Sequence, residues 1–169
     1  MTQKITLATA ALLLLSLFAV AAQKPNFSGS WVMDRARSFG MPGNMQQTMT
    51  VNQSADQIEL ETKLIQTDNE RIVKDSYVLD GKEREFTPQV PPNAPANAPP
   101  PKGKRTANWL PGGKGIVVNE VTTNETPKGP VTSQLTRKWT LSNDGELIID
   151  MYIDNANGSF GTKRIFKKA

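Results

Sequence analysis

A chain of 169 residues, 37% hydrophobic and 21% charged, has the make-up of one soluble globular domain and not of a disordered or membrane-spanning protein. It contains no cysteine and no histidine, which excludes disulfides, thiolate nucleophiles, sulfur-ligated metals and the commonest general base and metal ligand. The formal charge of +4 is small, and Lys102, Lys104, Arg105, Lys163, Arg164, Lys167 and Lys168 are interleaved with turns and apolar residues, the pattern of a solvated surface and not of a nucleic-acid-binding face.

Residues 1–22 read as a signal peptide. Lys4 stands in a short amino end, an apolar stretch covers residues 5–20, and Ala19 and Ala21 flank Val20 in the A-x-A pattern of a cleavage site. Thr6, Thr9 and Ser16 interrupt the stretch, which favours cleavage over a retained anchor needing about 20 consecutive apolar residues. The expectation is export to the periplasm or the extracellular space, with no stable membrane anchor after cleavage.

The remainder reads as short period-two segments separated by turn chemistry. Asn26-Phe27-Ser28-Gly29-Ser30-Trp31 leads into the first apolar alternation. Residues 46–53 set Met49 and Val51 against Thr48 and Thr50, and the next segment places Ile58, Leu60 and Leu64 on one face. Residues 71–79 contribute Val73, Tyr77 and Leu79, and the Asp80-Gly81 pair predicts a type I′ hairpin with 82–86 as its returning strand. Later strands are predicted at 104–110, 116–123, 131–141, 146–153 and 159–167, divided by PGGKG, NETPKG, SNDG and DNANG. Nine or ten strands with short connections predict an all-β, antiparallel up-and-down meander that closes into a barrel, since closure removes exposed edges.

One stretch departs from this pattern. Residues 87–103 hold seven of the twelve prolines, so they cannot supply a ladder of donors and are predicted to form an extended loop. Two readings stay open for it: a surface excursion between strands, or a lid or docking segment.

Alternation also places arginines inside. Arg137 shares its face with Val131, Leu135, Trp139 and Leu141, and Arg164 shares its face with Phe160, Thr162 and Phe166. A buried guanidinium needs a carboxylate such as Asp150 or Glu120, an aromatic face, or a bound anion. Structural pairing and recognition of an acidic head group are both compatible with the pattern.

Other chemistry is missing. PGGKG lacks the spacing of a phosphate loop, and DNANG lacks the closing glutamate of a calcium loop. Asp144, Asp150 and Asp154 are spread along a hairpin without a predicted cleft. A non-enzymatic protein without metal or cofactor is expected.

The Gly29-x-Trp31 opening, the meander and the closing TKRIFKK segment resemble the calycin superfamily of lipocalins and intracellular fatty-acid-binding proteins. They also resemble a group of exported bacterial lipocalin-like proteins of unknown function that open with N-F-S-G-x-W. The resemblance implies one lipocalin-like β-barrel domain over 23–169. It implies that Gly29 permits close backbone approach and that Trp31 plugs one end, with Arg164, or failing that Arg137, packed across its ring in a cation–π contact worth about 0.5–2 kcal/mol. Arg164-Ile165-Phe166 stands where fatty-acid-binding proteins carry Arg-x-Tyr to hold a carboxylate, with Phe166 in place of the hydroxyl. Their helical cap is replaced by residues 35–45, room for one helical turn. The functional expectation is a barrel that binds a small apolar or anionic amphipathic ligand, with Arg137, Arg164, Trp139, Phe166 and Tyr77 at the site and no nucleic acid as partner. The alternative is an envelope structural or interaction domain whose proline-rich loop contacts a protein partner.

Overall fold

The computed structural model describes residues 24–67, 69–89, 99–126 and 129–169. The predicted signal peptide and residues 90–98 of the proline-rich stretch lie outside the described residues.

Ten strands follow in chain order: β1 (Gly29–Met33), β2 (Met45–Gln53), β3 (Gln57–Gln66), β4 (Asn69–Val78), β5 (Arg84–Phe86), β6 (Lys102–Trp109), β7 (Gly115–Thr126), β8 (Gly129–Leu141), β9 (Leu147–Asn155) and β10 (Gly158–Lys168). They form one sheet in the order β4-β3-β2-β1-β10-β9-β8-β7-β6-β5. Every pairing is antiparallel, and β1 joins the last strand through Trp31↔Lys168 and Met33↔Phe166. This is the expected all-β antiparallel up-and-down meander, curled into a half-barrel whose two edge strands, β4 and β5, do not pair. As the spacing of 35–45 implied, a single 3-10 turn at Arg35–Arg37 links β1 to β2. PGGKG makes a tight turn at Pro111–Gly113 between β6 and β7, with Gly112 and Gly113 at positive φ of 71° and 67°.

The barrel has a seam. No ladder joins β4 to β5, and the predicted Asp80-Gly81 hairpin does not form. Only Gly81 of the pair takes a positive φ, of 74°, whereas a type I′ turn needs two. Local hydrogen bonds win instead: Asp80 accepts from the Lys82 N–H at 3.0 Å and from both terminal nitrogens of Arg84 at 2.7 and 2.8 Å. The Gly81 N–H then donates to the Ala107 carbonyl on β6 at 3.0 Å, so the chain crosses the seam without pairing back on β4.

Burial is graded along the barrel. Phe27, Trp31, Ile58, Ile116, Leu147 and Phe166 are completely or almost completely buried and fill one end. Towards the other end the inward rows open, through half-buried Leu64, Val73 and Leu135 to exposed Phe160. The filled end contains the Trp31 plug, whose Nε1 donates to the Phe27 carbonyl at 2.9 Å.

Two details of that plug differ from expectation. Lys168, not Arg164 or Arg137, lies over the Trp31 ring, with Nζ 5.5 Å from its centroid. Lys168 is the direct register partner of Trp31, while Arg164 sits four residues earlier on β10, opposite Ile149. A Cβ on Gly29 would meet nothing nearer than Lys168 Cε at 3.6 Å, an ordinary contact, so close approach is not its role. Its φ of 133° is what glycine alone adopts readily.

Where β1 ends, Asp34 accepts from Arg37 Nε at 2.9 Å and lies 2.9 Å from Lys167 Nζ. These two cations, Lys167 foremost, lower its carboxyl from the ordinary 3.8 to about 2. A depressed acid stabilises the fold above its unfolded value and loses that contribution as pH falls through its folded value. Urea midpoints should therefore decline between about pH 4 and pH 2, and Asp34→Asn should decline less over that window. Equal acid sensitivity in the variant would remove Asp34 from the account.

Candidate functional site

Above the plug the curled sheet lines a half-open cavity of about 370 Å³. Its apolar wall comes from Met49, Leu60, Ile149, Met151, Tyr77 and Trp139, and its polar groups include Gln47, Thr62, Glu120, Arg105, Arg137 and Arg164. All sit on alternating inward positions, because a strand turns successive side chains to opposite faces. Phe86, Thr87, Pro88 and Gln89 also line it, so the proline-rich stretch leaves the barrel beside the cavity. Residues 87–89 and 99–101 carry no regular structure, as expected of a stretch short of donors.

Four of the five residues expected at a ligand site meet here: Arg137, Arg164, Trp139 and Tyr77. Phe166 does not. It lies fully buried among the plug residues, paired in register with Leu147 and Met33, because it is two positions beyond Arg164 towards the filled end.

The two expected arginines live in different electrostatic settings. Arg137 is ion-paired with Glu120, a carboxylate only 6% exposed. Glu120 also accepts from Arg105 Nε at 2.5 Å, and Arg105 reaches on to Asp75 at 2.9 Å and to the Ser76 carbonyl at 3.2 Å. The Arg105 guanidinium lies over Phe86, 4.1 Å from its centroid, and beside Tyr77 at 4.8 Å. Arg105 thus spans the seam between β6 and β4 with charge, hydrogen bonds and ring contacts together.

Arg164 has no acid. Asp150, the other candidate, lies 3.5 Å from Lys163. The hydrogen-bond partner of Arg164 is the neutral Gln47, whose Oε1 accepts from Nη1 at 2.6 Å, and its Nε is buried without a partner among the described residues. Burial first, and the like charge of Arg137 second, lower its pKa from 12.5 to about 10. The group stays protonated at neutral pH, which makes it a half-buried cation short of a counter-ion. Tyr77 is neutral, its phenol pushed up to about 12 by burial.

Sequence reasoning missed Gln47 and Arg105. Gln47 shares the odd row of Met49 and Val51 on β2, so alternation alone could have found it. Arg105 shares its row with Gly103 and Ala107, whose small side chains give no apolar signal.

No protein-family model and no curated protein matches the chain. Among solved structures it is similar to a zebrafish ileal bile acid-binding protein complexed with cholic acid, at 16% identity and a TM-score of 0.48, covering 85% of this chain and 98% of that one. A second is the fatty-acid-binding protein isolated from Manduca sexta, at 14% identity and a TM-score of 0.38, covering 74% of each chain. Another is secretory abundant heat soluble protein 4 from Ramazzottius varieornatus, at 14% identity and a TM-score of 0.43, covering 84% of this chain and 94% of that one.

Proposed function

We propose that this protein is an exported, non-enzymatic carrier that holds a small amphipathic anion inside its barrel, head group against Arg164 and apolar body along Met49, Leu60, Ile149 and Met151. The observation that carries this reading is Arg164 itself. A half-buried guanidinium whose side-chain partner is neutral is costly in the empty protein, and an anion at its terminal nitrogens would offset that cost. A cavity of about 370 Å³ is in the range of small-molecule sites, and a ten-carbon carboxylate is a suitable probe for it. Asp75 and Glu120, the carboxylates at the cavity, are held in ion pairs with Arg105 and Arg137, which leaves them poorly suited to acid–base catalysis. The predicted leader at 1–22 supports a periplasmic or extracellular location.

Calorimetric titration with decanoate and with decanol tests the proposal. Decanoate should bind at one site and at least tenfold more tightly than decanol, the value of a charge-assisted hydrogen bond of about 1.5–3 kcal/mol. Arg164→Leu should abolish that preference and raise the stability of the empty protein, since it removes a half-buried charge without a counter-ion. Equal affinity for the two ligands, or a preference that survives Arg164→Leu, would overturn the proposal.

A further inference from the structure

One edge of the sheet is left open. β4 is terminal in the strand order, and among the described residues its only ladder is with β3. Arg105 Nη1 donates to the Ser76 carbonyl from across the seam at 3.2 Å, which fixes the direction of the backbone groups. In an antiparallel ladder the N–H and C=O of one residue point to the same side, and the side alternates along the strand. The β3–β4 register runs without a bulge from Gln57↔Val78 to Gln66↔Asn69, so Lys74, Ile72 and Glu70 turn their N–H and C=O groups to the seam as Ser76 does.

The side chains of these three residues lie on the outward face and are exposed. Ile72, 54% exposed, is an apolar residue in the middle of a free edge, with Glu70 and Lys74 two positions to either side. A bare edge is a template for another strand, and short strands, prolines and bulges are common protections. β4 is ten residues long and has neither proline nor bulge.

This row is complementary to itself read backwards. A second copy laid antiparallel along the edge, with the twofold axis at Ile72, sets Ile72 against Ile72 and each Glu70 against the Lys74 of the other copy. All of these are hydrogen-bonded pairs, a ladder of about six backbone bonds. Sliding one copy by two residues sets a charge against Ile72, and sliding it by four sets like charges opposite each other, so side-chain pairing selects one register. A twofold interface uses β4 of both copies, and the remaining edge, β5, is three residues long, so the assembly closes at a dimer.

We propose that the protein forms a twofold dimer through β4, two sheets joined edge to edge across the Glu70-Ile72-Lys74 row. The dimer does not depend on the carrier reading. It bears on the same cavity, because Val73 lines that cavity and this register sets Arg71 of the second copy opposite Val73 on the inward face.

Analytical ultracentrifugation of the purified protein tests the dimer. The weight-average mass should rise up to about twofold between about 1 µM and about 1 mM, the affinity range of a small interface. Ile72→Pro removes a seam-facing N–H that β3 does not use, so the variant should fold and stay monomeric. The chain has no cysteine, so Ile72→Cys introduces a single thiol, on the axis. Hydrogen-bonded partners lie about 5.5 Å apart at Cα, within disulfide reach, whereas Glu70→Cys faces Lys74 and stands beyond reach of its own copy. Under mild oxidation by diamide, Ile72→Cys should convert to a covalent dimer and Glu70→Cys should not, a readout that decides even where the proline variant folds poorly. A chain that stays monomeric to about 1 mM would overturn the proposal, as would a dimer that persists in Ile72→Pro. Equal cross-linking of the two cysteine variants would overturn the register and the proposal with it.

Discussion

Replacing Arg105 by Ala should lower the unfolding free energy by about 3–5 kcal/mol, the range for breaking a buried ion pair from one side. The side chain is 11% exposed and contacts both Asp75 and Glu120, and it covers Tyr77 and Phe86. Without it Glu120, 6% exposed, keeps Arg137 alone, and the seam loses the only side chain described as bridging Asp75 on β4 to Glu120 on β7. Arg105→Lys keeps the charge and forfeits the fork and the planar stacking, so it should recover less than half of the loss. Urea unfolding at pH 7 measures both variants. A cost below about 1 kcal/mol for Arg105→Ala, the value of an exposed ion pair, would mean that the seam is held by other contacts.

The second large effect is expected at the plug. Trp31→Ala should cost about 3–5 kcal/mol, because a 1% exposed indole leaves a cavity that surrounding strands cannot collapse into. Trp31 pairs with Met49 on one side and Lys168 on the other, so both neighbours are fixed by ladder hydrogen bonds. Trp31→Phe should restore most of the apolar area and still leave the Phe27 carbonyl without its donor, a residual cost of about 1–3 kcal/mol. Thermal or urea unfolding monitored by circular dichroism reads the series. A Trp31→Phe variant as stable as the native chain would show that the Nε1 hydrogen bond contributes nothing net.

Much of the fold was legible in the sequence, for an identifiable reason. In strands the side-chain period is two, so Met49 and Val51 on β2, Leu147, Ile149 and Met151 on β9, and Phe166 on β10 announced their inward faces by alternation. Turn chemistry divided these segments within one to three residues at most boundaries. The same logic placed Arg137, Arg164, Trp139 and Tyr77 inside. It also misjudged Phe166, because alternation gives the face of a residue and not its height along the barrel.

Partner choice was not legible. Arg105 read as one surface base among several and turned out to hold the seam, because the Asp75 that completes its site lies thirty residues away. Arg164 was expected over Trp31 and instead meets Gln47, a contact spanning 117 residues. The Asp80-Gly81 pair followed local propensity on paper, but Arg84 and the Ala107 carbonyl, one local and one across the seam, drew it into another conformation.

The sequence by itself determined the strands, their faces and the meander, since these follow from alternation and turn residues within a few positions of each other. Only the tertiary structure decided which cation is neutralised. Glu120 lies in register with Arg105 and within reach of Arg137, while Arg164 is left facing Gln47. Strand register and barrel curvature, not neighbouring residues in the chain, set those distances, and charge pairing depends steeply on distance in a poorly solvated interior.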